Sequence, residues 1–537
     1  MSAIAAGADP ELALPLPRPR LFNPWLVAVT VTLATFMELL DTSIANVSLP
    51  HIAGGLSTGQ DESTWVLSSY LVANAVVLPL SAWLSRLMGR KRYYMLSVAL
   101  FTASSLLCGL APSLTWLIVF RVMQGIGGGG LAPVEQAILV DTFPAHKRAS
   151  AFAVYSIAIV TAPAIGPTLG GWITDSYSWR WIFFINIPIG ILSLFLSGAL
   201  ISDSAEFTKE RHANKDRLKI DYVGILLVAI GFGCLEVVLD KGEREDWLQS
   251  GFIVAFLSIA IIALVVGVFW ELNRKDPVVD LTLLKERNFA LASALYFIVF
   301  FLLFSSTLTV PLMLQNLYGY TATDAGLVLS PGAMVIVVMI PAVVMISKKV
   351  QPKWMMGFGL LTCAYASYAM TRLDPGSDYA SFVGPRMVLG LGLAFLFIPL
   401  SLIAYSYLPP EKNNKASSLT NLFRNLGGSF GVAFVATMLA RRSQFHQSVV
   451  SSHISVYNPV STESFRSLVG KLTEAGMPSG EAATRAQAMI YSTVLRQSSL
   501  LAFLDIFWLL CIMALTATPS VLLIRKIRRS GPTQVGH

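Results

Sequence analysis

Residues 121–127 read Arg-Val-Met-Gln-Gly-Ile-Gly, and residues 386–392 read Arg-Met-Val-Leu-Gly-Leu-Gly. An arginine heading a glycine-stepped apolar string is rare, so two copies in one chain indicate an internal repeat. Each copy is followed by a proline, Pro133 and Pro399. A basic connection ending in Ala-Ser comes next, at Ala149-Ser150 and Ala416-Ser417.

Outward from both copies the chain is apolar in runs long enough to cross a bilayer core, which takes about 20 residues per helix. Spans are expected at 25–49, 63–84, 93–112, 114–139, 150–172, 181–201, 222–239, 251–270, 289–315, 325–346, 354–371, 381–407, 416–439 and 498–523. The whole chain is 54% hydrophobic and 13% charged, against roughly 25% charged in a soluble domain. The runs are apolar on all sides, which fits helices and not the alternating strands of a barrel. The first copy lies in span 4 and the second in span 12. If a second half begins at span 9, each copy is the fourth span of its half. The expected fold is therefore all-α and polytopic: two six-helix bundles plus two inserted helices, related by a pseudo-twofold axis along the membrane normal.

The division that follows is a tail at 1–24, a first bundle at 25–201, and a linker with the inserted pair at 202–288. A second bundle fills 289–523 and a tail 524–537. The basic stretch 203–220 reads as the hinge between halves. Fourteen spans put both ends on one side, and Lys and Arg choose the side. Placing the termini inside puts Arg86, Arg90, Lys91, Arg92, Lys147, Arg148, Arg274, Lys285, Lys348, Lys412 and Lys415 there, leaving Arg180, Lys241, Arg244 and Arg372 in the short outer loops. This asymmetry accounts for the formal net charge of +8 without nucleic acid. The long outer connection, 441–497, is polar with amphipathic turns near 461–490. It is either a partner-binding element or a solvated loop.

Cys108, Cys234, Cys363 and Cys511 all fall in apolar segments, and the six histidines are scattered. No metal site or disulfide is expected. The glycine run after Arg121 lacks the lysine and Ser/Thr of a phosphate loop. No cluster of nucleophile and base argues for an enzyme.

Charge inside the hydrocarbon is costly, about 2.5–3.5 kcal/mol at a helix centre on insertion scales. Glu38 and Asp41 in span 1 lie three residues apart, near one helix face. Such a carboxylate faces a wet cavity, meets an opposite charge or holds a proton. Arg121 is at the depth of Asp41 and is its expected partner, with Gln124 one turn on. A proton-coupling role for Asp41, Glu38 and Arg121 and a buried ion pair that only locks span 1 are both open readings. In span 5, Gly166-Pro167-Thr-Leu-Gly170-Gly171 joins a helix break to close-packing glycines, as suits a rocking interface between halves. Glu38, Asn46, Gln124, Tyr296 and Phe297 are expected to face a substrate. Arg386, Arg424 and Asp505 are further intramembrane charges, and depth allows Asp505 to pair with either arginine. Glu135 and Glu236 are expected at membrane boundaries.

These strings resemble the fourteen-helix drug:proton antiporters of the major facilitator superfamily, especially the inner-membrane pumps of tripartite multidrug exporters. The resemblance covers nearly the whole chain and is carried by 40–50, 121–128, 166–171, Trp181-Ile-Phe-Phe-Ile-Asn-Ile-Pro-Ile-Gly190, 276–281 and 318–323. It implies the major facilitator fold and efflux of small amphipathic drugs driven by protons, without a cofactor. It also implies an inner-membrane location and work with a periplasmic adaptor and a TolC-type outer-membrane channel. Gly166, Pro167, Gly170 and Gly171 look like the antiporter motif, Arg121 like the proton-coupling arginine, and Asp41 like the acid of the span 1 motif. Departures are Arg86 where the family carries Asp, Ala82 where it carries Gly, and Glu38 where relatives are often neutral. Export of one endogenous metabolite, such as a siderophore or fatty acid, would use the same motifs.

Overall fold

A computed structural model describes residues 23–202, 221–274, 277–409, 412–455 and 457–526. The tail at 1–22, the hinge at 203–220, Asp276 and residues 527–537 lie outside the described residues. The described chain is helical with no strand.

Among the described residues, fourteen helices of spanning length follow one another in sequence order. The first bundle contains α1 (Pro24–Val47), α2 (Trp65–Met88), α3 (Arg90–Leu110), α4 (Leu114–Thr142), α5 (Arg148–Ser176) and α6 (Trp181–Leu200). The inserted pair is α7 (Tyr222–Lys241) and α8 (Gly251–Leu272). The second bundle contains α9 (Arg287–Tyr318), α10 (Ala322–Ser347), α11 (Pro352–Met370), α12 (Tyr379–Ala404), α13 (Asn413–Ser452) and α14 (Ser479–Ala517). Twelve pass a test of length and apolarity outright. Helix α5 passes only as a pair bent by 42° between Pro163 and Ile165, where proline removes a backbone donor. Helix α11 is the fourteenth. It is less apolar and is instead buried through Met355, Met356, Leu360 and Cys363.

Both ends of the described chain lie on one side. Trp25 packs edge-on against Phe143 at 5.0 Å between ring centroids, and Arg525 N donates to Asn288 Oδ1 at 2.9 Å. We call this the terminal side. Here a tie runs from the stretch before α9 to α13, where Lys415 Nζ donates to Asp280 Oδ2 at 3.0 Å. Burial works to raise the Asp280 carboxyl, but the Thr282 hydroxyl and Lys415 outweigh it and hold the acid below its usual range.

The repeat is visible in the packing. A Cβ on Gly125 would lie 2.4 Å from Tyr70 O of α2, and one on Gly127 would lie 2.6 Å from Phe101 N of α3. In the second half, a Cβ on Gly390 would lie 2.2 Å from Gly332 O of α10, and one on Gly392 would lie 2.7 Å from Cys363 Sγ of α11. The fourth helix of each half is thus wedged between the second and third at the same two glycines. The fifth helices also correspond. Gly166 and Gly170 of α5 close on Ser43 and Ile44 of α1, and Gly427 and Gly431 of α13 close on Phe297 and Phe301 of α9.

The inserted helix α7 touches both halves. Lys241 Nζ donates to Thr64 Oγ1 at 2.6 Å, Ser68 bonds Asp240, and Ser429 Oγ donates to Glu236 Oε1 at 2.8 Å. Helix α8 lies outside α7 and exposes Ile259, Ile261, Ile262, Val265 and Phe269, an apolar face suited to lipid. The connection 441–497 is more ordered than a solvated loop. Helix α13 continues to Ser452, a helix follows at Pro459–Glu474, and α14 begins at Ser479.

Candidate functional site

Asp41 of α1 and Arg121 of α4 meet in the interior of the first bundle. Arg121 Nη1 donates to Asp41 Oδ2 at 2.6 Å, and both side chains are almost wholly out of solvent. The carboxylate's other oxygen accepts from Gln124 Nε2 at 3.0 Å and Asn186 Nδ2 at 2.7 Å. Both amides also reach Ser105 Oγ, at 3.2 and 2.9 Å. Arg121 Nε donates to Val66 O at 2.9 Å, and its guanidinium lies over the Tyr70 ring. Its Nη2 has no partner. An ion pair at such depth holds only because further hydrogen bonds replace the lost water. Asn186 and Ser105 were not singled out from sequence. A lone asparagine in the run Ile-Asn186-Ile-Pro was the available signal.

Glu38 faces another way. Its Oε1 accepts from Asn74 Nδ2 at 2.9 Å and Tyr70 OH at 3.2 Å, and its Oε2 is buried without a partner. Asn74 Oδ1 in turn accepts from Asn425 Nδ2 of α13 at 3.2 Å, so Glu38 is linked to the opposite half. The charges acting on Glu38 are Arg424 and Asp41. Glu135, expected at a boundary, is fully buried in α4 and accepts from Thr32 Oγ1 at 2.6 Å. Glu236 is also buried.

Between the halves is a cavity whose walls are mostly apolar, as in small-molecule sites. Leu39, Ile159 and Pro163 line it from the first half. Phe300, Phe304, Ile336, Arg386, Arg424 and Asn425 are among those lining it from the second. The residues expected to face substrate do not line it. Gln124 is committed to Asp41, Asn46 is exposed at the end of α1, and the Glu38 carboxylate is held by Asn74 and Tyr70. Tyr296 bonds Ser401 at 2.9 Å, and Phe297 packs on Phe430. A helical period separates the α9 aromatics into one row of Tyr296, Phe300 and Phe304 and another of Phe297 and Phe301, and Phe300 and Phe304 of the first row line the cavity. Asp505 does not pair with Arg386 or Arg424. It accepts from Arg442 Nε at 2.6 Å and lies 2.7 Å from His446 Nε2, because α13 and α14 run on together past the bundle. The antiporter-like glycines Gly166 and Gly170 pack within their own half, not across a rocking interface. The cross-half approach of α5 is made by Thr168 against Gly326.

The terminal side of the cavity is sealed. Asn421 Nδ2 donates to Gln136 Oε1 at 2.9 Å, Tyr405 OH donates to the same oxygen at 3.2 Å, and Ser417 Oγ donates to Pro133 O at 2.6 Å. Ser418 Oγ reaches Leu78 O at 2.9 Å, and Arg424 bonds the Tyr155 hydroxyl. Asp141 pairs with Arg90 and accepts from Asn413 Nδ2 at 3.1 Å, so an acid of α4 latches this gate. Replacing Asn413 and Asn421 together by Ala removes two cross-half bonds worth about 1 kcal/mol each. Amide exchange over 131–142 and 413–424 is then expected to rise about tenfold or more. Unchanged exchange would show that these bonds do not hold the seal.

Two bundles of apolar helices around a shared cavity, one of them with a buried ion pair, are the architecture of a multi-pass transporter. Comparison with known proteins agrees. A sequence description of the Major Facilitator Superfamily matches residues 31–432, and the chain belongs to that superfamily. It is 35% identical over 486 residues to the multidrug export protein EmrB of Escherichia coli (strain K12), covering 90% of this chain and 92% of that one. It is 36% identical over 490 residues to EmrB of Haemophilus influenzae, again covering 90% and 92%. It is 36% identical over 509 residues to the fatty acid resistance protein FarB of Neisseria gonorrhoeae, covering 94% and 97%. Among solved structures, the proton:xylose symporter XylE matches with a TM-score of 0.59 at 14% identity, over 92% of this chain and 94% of that one, which bears on the fold alone.

Proposed function

We propose that this protein is a proton-coupled exporter of small amphipathic or hydrophobic drugs. It sits in the inner membrane with both termini cytoplasmic, and the proton gradient drives it without a cofactor. The observation that carries this reading is Asp41, a carboxylate deep in the first bundle whose every contact is a donor that can rearrange. A proton arriving from outside onto Asp41 or Glu38 removes the charge that Arg121 neutralises. The Asp41–Arg121 pair then loosens, the halves rock about the cavity, substrate leaves outward, and the proton is released inside. Glu38, tied through Asn74 to Asn425, reports that charge change to the second half. The helical extension of α13 and α14 is where we place a periplasmic adaptor, which would join the pump to a TolC-type outer-membrane channel. The multidrug export names of EmrB relatives support the drug reading. FarB supports a second, export of an endogenous fatty acid-like metabolite.

Everted vesicles containing the protein provide the test. With the interior made acid, they should accumulate a fluorescent amphipath, and a protonophore should abolish the accumulation. Accumulation that ignores the pH gradient would exclude proton coupling.

A further inference from the structure

Arg121 and Arg386 are repeat mates, yet their partners differ in charge. Each reaches the first helix of its own half. Arg121 finds Asp41 there, whereas Arg386 Nη1 finds only the hydroxyl of Ser306 at 3.1 Å. Arg386 Nε is buried with no hydrogen-bond partner among the described residues. Arg424 stands on the same cavity wall, holds the Tyr155 hydroxyl, and lies 5.6 Å over the Phe300 ring. Neither arginine is ion-paired among the described residues. Two buried acids act on Arg424, Glu38 and Glu135, and each is already bonded elsewhere, Glu38 to Asn74 and Tyr70 and Glu135 to Thr32. The rest of the wall is apolar, with Phe304, Leu303 and Ile336 among its side chains. Two guanidinium groups in a water-poor pocket repel a cation and leave a site for an anion.

We propose that this cavity binds an amphipathic carboxylate, its head on Arg386 and Arg424 and its apolar body along Phe300, Phe304 and Leu303. Arg386 is the anchor, because its Nε is free to donate and no acid among the described residues pairs with it. This deepens the transport reading, on which it rests for taking the cavity as the substrate site.

The test is equilibrium binding to the full chain in lipid nanodiscs, corrected with protein-free discs, at pH 8 and below micellar concentrations. The probes are dodecanoate, dodecanol and dodecyltrimethylammonium. Dodecanoate should bind at least about tenfold more tightly than the cation, the scale of a charge-assisted hydrogen bond. R386Q should remove that preference while leaving dodecanol binding unchanged, and R386K should keep most of it. Equal or tighter binding of the cation to the wild type would overturn the proposal. So would an undiminished preference in R386Q. The wild-type comparison needs no variant to fold. Carboxylate preference without proton-driven accumulation would sink the transport reading and leave this site standing. Proton-driven accumulation with cation preference would do the reverse.

Discussion

Asp41→Asn reduces gradient-driven accumulation of substrate to the level of vesicles without the protein, a loss of more than about a hundredfold. The reason is specific to the site. Asparagine occupies the volume of aspartate, so α1 and α4 can still meet. It cannot take up or release a proton, and it leaves the Arg121 charge uncompensated where water does not reach. Breaking one side of a buried pair costs about 3–5 kcal/mol, so the variant should melt earlier yet remain folded and monodisperse. Asp41→Glu, which keeps an ionisable carboxyl, should retain part of the activity if its extra methylene is accommodated. The measurement is everted-vesicle accumulation with protein amount matched by quantitative blot. Wild-type accumulation by Asp41→Asn would remove Asp41 from the mechanism and leave the pair as a structural lock.

Gly125→Leu produces the second large effect, loss of the folded protein. Its Cβ would lie 2.4 Å from Tyr70 O and 2.8 Å from Ala73 Cβ, and a backbone oxygen cannot rotate away. Helix α2 would have to retreat, carrying with it Tyr70 and Asn74, the two donors to Glu38. Overpacking without room to relax costs about 3 kcal/mol or more. Gly390→Leu should behave alike, since its Cβ would meet Gly332 O at 2.2 Å. Gly171→Leu is the control, because a Cβ there meets nothing within 4 Å. Size-exclusion profiles after solubilisation distinguish them. A symmetrical wild-type peak for Gly125→Leu would contradict the proposed packing.

What could be read from sequence follows from what the bilayer penalises. Arg121 and Asp41 stand out because a charge in hydrocarbon is costly wherever it points, and their pairing required only equal depth. Gly125 and Gly127 stand out because their repeat mates recur at the same step. Depth alone failed for Asp505, since two residues at one level can lie on opposite sides of a bundle. The cavity wall failed for a related reason. Tyr296, Phe297, Phe300, Phe301 and Phe304 are equally apolar, and only the azimuth of α9 decides which of them turn inward. Asn186 left only the faint signal of a lone asparagine and Ser105 none, because small polar residues are common in membrane helices, and their role appears only when the helices converge on one carboxylate. The position of α7 against both α2 and α13 could not be derived, since an inserted helix has no repeat mate to place it.

Proton flux in proteoliposomes of the purified chain tests the central claim most directly. With a pH-sensitive dye inside and no imposed gradient, an outward-directed substrate gradient should drive protons inward, in proportion to substrate moved and abolished in Asp41→Asn. Substrate movement with no accompanying proton flux would contradict the account.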